Sequence, residues 1–221
     1  MRRFAKWHIW LGWLVGVPVL MWTVTGLIMV IKPIEEVRGS HLRAETPAVA
    51  GAGLTMPALT TDVTGVELVR QPDGPVWVVQ EATGGRYRYS ARDGGLLPPV
   101  LEEEARALAL ATFSGDAELE TMTYFPSDEA PMDLRVPRNS WQAHFADGTN
   151  VYVDDTTGEV LALRTGWWRV FDFAWGLHIM DLETREDTSH PVLTLFAVLA
   201  IIGSLLGCVL MFRRRKARVR S

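Results

Sequence analysis

At 221 residues the chain has room for one or two small domains plus membrane segments, and its 48% hydrophobic content is spread unevenly. The formal charge of −4 conceals a split: all 26 acidic residues lie between Lys32 and Ser189, whereas nine of the 22 basic residues crowd the two ends. The single cysteine, Cys208, excludes an intramolecular disulfide and a cysteine-built zinc site.

Residues 1–6, with Arg2, Arg3 and Lys6, read as a short cytoplasmic N-terminus. Residues 7–31, WHIWLGWLVGVPVLMWTVTGLIMVI, hold no Asp, Glu, Lys or Arg. As a helix they would reach roughly 37 Å, enough to cross a hydrocarbon core of about 30 Å with some tilt. A cleaved secretory signal competes with this reading, but its apolar core is only about 7–15 residues long. The first A-x-A-like site, Ala48-Val49-Ala50, lies far downstream, so a retained anchor is the expectation. Gly12 and Gly16 form a small-xxx-small pair suited to close helix packing in lipid. Pro18 is expected to kink the helix, and Trp7, Trp10 and Trp13 fit an interfacial aromatic belt.

Residues 32–54 have no clear period and read as a linker. Beyond it the chain repeats itself, with residues 55–100 as one unit and 101–165 as the next. An offset of 64 lays Trp77 on Trp141, Ala82 on Ala146, Gly84 on Gly148, Gly94 on Gly158 and Leu97 on Leu161. Each copy reads as a strand, a glycine turn, a second strand, another turn and a short third strand. In the second copy these are 141–146, 150–153 and 159–163, with the turns at Asp147-Gly148 and Thr157-Gly158. A helix is expected over residues 101–112, its first turn carrying Glu102, Glu103 and Glu104, where the macrodipole favours negative charge. A weaker helical candidate lies at 55–63. Each unit is thus a helix followed by an antiparallel sheet, and the two are expected to pack as one α+β body. Strand alternation puts His144 on the face opposite Trp141, Ala143 and Phe145, the solvated one. Asp154 and Asp155 lead into a glycine turn and read as turn residues rather than a carboxylate pair.

Residues 166–189 turn aromatic. A helix there places Trp168, Phe171, Trp175 and His178 on one stripe, as an amphipathic helix at the outer membrane surface would. A polar turn follows, then a second span at residues 190–212 with its own small pair, Gly203 and Gly207, and a basic cytoplasmic tail at 213–221. Cations flank both spans on their outer-chain side, the positive-inside pattern. Both termini are therefore expected in the cytoplasm of a bacterial inner membrane, with residues 33–190 periplasmic. This orientation accounts for the basic tail without a nucleic-acid partner.

The combination of W-H-I-W-L-G near the start, V-Y-V-D-D-T-T-G-E-V-L in the body and L-H-I-M-D…H-P-V-L before the last span resembles the PepSY-associated transmembrane family. The resemblance covers nearly the whole chain and implies PepSY modules outside the membrane between apolar spans. Ile9 departs from it, standing where the family usually has Arg, and larger members carry additional spans. The resemblance implies two roles. Larger relatives serve iron and siderophore uptake, some as haem-bearing reductases, while soluble PepSY modules inhibit or regulate secreted peptidases. No nucleophile motif, phosphate loop or zinc spacing points to a free-standing enzyme.

Three membrane-proximal histidines, His8, His178 and His190, are the candidate ligands for haem b, since paired imidazoles suit haem iron. A histidine at a membrane face also needs a polar partner, so plain structural bonding is the alternative. His8 lies about 35 Å of helix from the outer surface and cannot share a haem with the outer two. It would need a second chain, whereas the outer two could share one if the turn brings them together. Two spans make a thin shell for a porphyrin, so haem binding implies a four-helix homodimer or larger membrane complex.

Overall fold

The computed structural model describes residues 2–219, with side chains from 3 to 213. The chain divides into two compact units, residues 34–169 and residues 1–33 together with 170–221. Among the described residues two helices are long and apolar enough to cross a membrane: α1 (Arg2–Val30), which continues through Pro18, and α5 (Pro191–Val219). They pack side by side in antiparallel register. Arg213 lies over the Phe4 ring, a Cβ on Gly207 would meet His8, and one on Gly203 would meet Leu11.

The 34–169 unit opens with a single helical turn, α2 (Ile34–Val37), and contains two antiparallel sheets. The first runs in the order β1 (Val63–Gln71), β2 (Gly74–Glu81), β3 (Arg86–Ser90). The second follows α3 (Glu102–Thr112) and runs β4 (Leu119–Phe125), β5 (Ser140–Phe145), β6 (Asn150–Asp154), β7 (Val160–Arg164). Gly148 and Gly158 take φ of 80° and 70° in the two turns of the second sheet, a backbone region that suits glycine. Alternation along β5 turns Ala143 and Phe145 inward, where they meet Val151, Val153 and Leu163 and are covered by Ala105, Leu108 and Ala109 of α3. The rings of Phe113 and Phe145 pack 4.1 Å apart between centroids.

Three expectations give way. Residues 55–62 are not helical. Pro57 and the threonine-rich run that follows disfavour a helix, and Thr55 is bonded as extended chain, its N–H to the Ala91 carbonyl and its carbonyl to the Trp77 indole. The short third strand of the first copy reduces to one bridge between Tyr89 and Leu96, because Pro98 and Pro99 cannot continue a ladder. Two further strands, β1 and β4, precede the three expected in each copy. Both are edge strands with mostly exposed side chains, which blurs the inward-outward alternation.

Candidate functional site

The last helix before α5, α4 (Gly166–His178), ends on a histidine, and the loop that follows reaches His190. Asp172 points to the hidden side of α4, in the middle of the expected aromatic stripe, and is paired with Arg185. The Arg185 carbonyl accepts from the Trp175 indole at 3.0 Å, fastening the loop back on the helix. Asp181 gathers the loop's own donors: the Thr184 hydroxyl and the backbone N–H groups of Glu183, Thr184, Glu186 and Asp187. These bonds, led by the Thr184 hydroxyl, hold its carboxyl well below the usual carboxylate range.

His178 docks on α1 rather than on this loop. Its backbone carbonyl accepts from the Trp22 indole at 2.8 Å, and its Nδ1 lies 2.8 Å from the Thr25 hydroxyl. His8 turns its ring toward α5, where Nδ1–H donates to the Gly203 carbonyl at 3.0 Å and Cε1 stands 2.9 Å from where a Cβ on Gly207 would be. A carbonyl only accepts, so the proton of His8 sits on Nδ1 and the electron pair on Nε2. Gly12 and Gly16 face open space within this chain.

The antiparallel register fixes depth. His190 precedes Gly203 by 13 residues, about 20 Å along the helix, which brings it level with about Val24 of α1. That is the level at which Trp22 and Thr25 hold His178, so the two outer histidines share one depth. His8 lies about 25 Å further along α1. The Nδ1 of His190 is buried with no hydrogen-bond partner among the described residues, while its carbonyl accepts from the Thr194 N–H near the start of α5. A buried imidazole nitrogen without a proton partner is costly unless something binds the ring, and among the described residues the second ring nitrogen of His178 has no hydrogen-bond partner. His178 and His190 are therefore the residues whose imidazoles could hold a haem b.

Elsewhere the sequence candidates are ordinary structural groups. Asp154 accepts from the N–H groups of Thr156 and Thr157 and from Arg138, and Asp155 accepts from the Tyr124 hydroxyl at 2.9 Å. His144 is half-exposed, with Glu120 3.8 Å away. Among the described residues no three His, Cys, Asp or Glu side chains gather as a metal site.

The model of the PepSY-associated TM region matches residues 5–221. The chain belongs to this family. No curated protein and no solved structure matches it. Membership and the two apolar helices make it a membrane-associated PepSY protein with an α+β, sheet-rich region between its spans. Within that frame, sequence reasoning singled out His178 but missed what holds it. Trp22 and Thr25 lie in an uninterrupted apolar run and look like lipid-facing filler. The available signal was their spacing, three residues apart on the same face of α1.

Proposed function

We propose that this PepSY protein is an accessory or electron-transfer component of iron and siderophore uptake, with haem b held by His178 and His190. The observation that carries the reading is the shared depth of these two imidazoles, one with a ring nitrogen and the other with a buried Nδ1 that have no hydrogen-bond partner among the described residues. When bound, haem b supplies a one-electron couple. The protein's part is to orient the imidazoles and keep water from the ring faces. His8, far from the outer pair, would take a ligand role only with a second chain, which makes a homodimer or larger complex part of the proposal. Both termini lie in the cytoplasm, with residues 33–190 outside the inner membrane, as the charge split favours. The two sheets are read as paired PepSY-like repeats, supported by the residue coincidences at an offset of 64 and by the antiparallel order of both sheets.

A second reading has its own observation. The bonds of His8 to Gly203 and of His178 to Thr25 serve equally as clamps within a non-catalytic membrane anchor. The 34–169 unit then carries the function as a binding or peptidase-regulating module. A cavity of about 430 Å³ bounded by Glu67, Val69, Arg70, Leu108 and Val160 offers that module a concave surface.

Absorption spectra of detergent-purified protein from haem-replete cells, oxidised and reduced, separate the two. The haem reading expects a Soret band that is lost in His178→Ala and His190→Ala. A colourless wild-type protein refutes it. The second reading expects full function with all three histidines replaced and loss on altering the 34–169 surface.

A further inference from the structure

The Thr25 hydroxyl has one proton and three neighbours within reach of it. Its oxygen lies 2.8 Å from the Met21 carbonyl one turn back and 3.3 Å from that of Trp22, and 2.8 Å from Nδ1 of His178. If the hydroxyl donated to Nδ1, it would face the Met21 carbonyl at 2.8 Å with no proton between two oxygens. Thr25 is only 3% exposed, so water does not relieve that contact. The arrangement without a clash has Thr25 donating to Met21 and accepting from Nδ1–H of His178. A neutral imidazole has one N–H, so the electron pair of His178 is on Nε2.

The backbone reinforces this. The Trp22 indole takes the carbonyl of His178, a group that the end of a helix leaves without an intrahelical partner. The ring's Cε1 lies 3.7 Å from where a Cβ on Gly26 would stand, so the imidazole rests against α1. Three residues within five positions of α1 thus fix the depth, the rotation and the tautomer of one histidine.

We propose that Thr25 is a positioning residue that locks His178 in its Nδ1–H form and presents Nε2 as the electron-pair donor to haem iron. The identity of the metal rests on the haem reading above; the tautomer does not.

The test uses the full-length protein in detergent, labelled with ¹⁵N-histidine and prepared from haem-depleted cells. Two-bond proton–nitrogen correlation reports the tautomer of His178, assigned by its absence in His178→Gln. The expected result is an Nδ1–H signal in the wild type and in Thr25→Ser, replaced by a population of Nε2–H in Thr25→Val. On adding haem b, Thr25→Val should bind about 10–100-fold more weakly than wild type, with Thr25→Ser close to wild type. A wild-type His178 in the Nε2–H form, or a tautomer unmoved by Thr25→Val, overturns the positioning role. The wild-type spectrum decides this even if the valine variant fails to fold. A wild type that keeps Nδ1–H but takes up no haem overturns iron as the ligand and the haem reading with it.

Discussion

The two sheets of the 34–169 unit are built on similar strand orders but filled differently. The second is sealed on both faces: β6 is buried along its whole length, with Phe145, Val151 and Val153 on the α3 side and Tyr152 with Leu134 and Ala162 on the other. The first sheet has no helix of its own. Its inner face carries Val76, Val78 and an arginine, Arg88, only 2% exposed. Arg88 pairs with Glu104 of α3, donates to the Gln71 side chain at 3.1 Å and to the Pro98 carbonyl, and Gln71 in turn donates to the Thr157 carbonyl at 2.8 Å. One sheet is held by packing volume, the other by a satisfied polar network. The first kind of contact tolerates loose geometry; the second demands one arrangement, because an unmatched buried charge is expensive.

The largest expected effect tests that contrast directly. Phe145→Ala should cost roughly 3–5 kcal/mol, against roughly 2 kcal/mol for Val78→Ala in the first sheet. Thermal unfolding of the full-length protein in detergent gives both, and equal losses would erase the distinction. Next comes the network. Glu104→Gln should cost about 2–3 kcal/mol by leaving Arg88 without its carboxylate. The double variant Arg88→Met with Glu104→Gln should recover part of that, so a double-mutant cycle with strictly additive losses argues against a coupled network. The smallest effect belongs to Tyr152. Burial, with the charge of Asp133 adding to it, pushes this phenol above its ordinary value of about 10. Because the folded value is the higher one, the contribution is complete below about pH 10 and is lost as pH rises toward the folded value. Wild type should therefore lose stability between about pH 10 and 11 by more than Tyr152→Phe does, and unfolding midpoints at pH 9 and 11 measure the difference.

Much of this was legible in the chain. Charge-free runs marked α1 and α5 because the cost of a charge in lipid leaves no other pattern. The glycine turns marked β5, β6 and β7, and the alternation at 141–145 marked β5, whose Ala143 and Phe145 face the α3 side. The edge strands were not legible: Val63–Gln71 mixes Glu67 and Arg70 with valines, since one flank of an edge strand stays wet. The seat of His178 was hidden for a different reason. Thr25 and Trp22 acquire meaning only from a histidine more than 150 positions away, and single-chain periodicity carries no trace of such a pairing.

α1 is pinned twice, near its start by the imidazole of His8 gripping α5 and near its far end by Trp22 and Thr25 gripping the tip of α4. A rod fastened at both ends neither slides nor spins alone. The tip of α4 and the body of α5 thus share one support, and a shift of residue 178 bears on the same helix that His8 ties to Gly203.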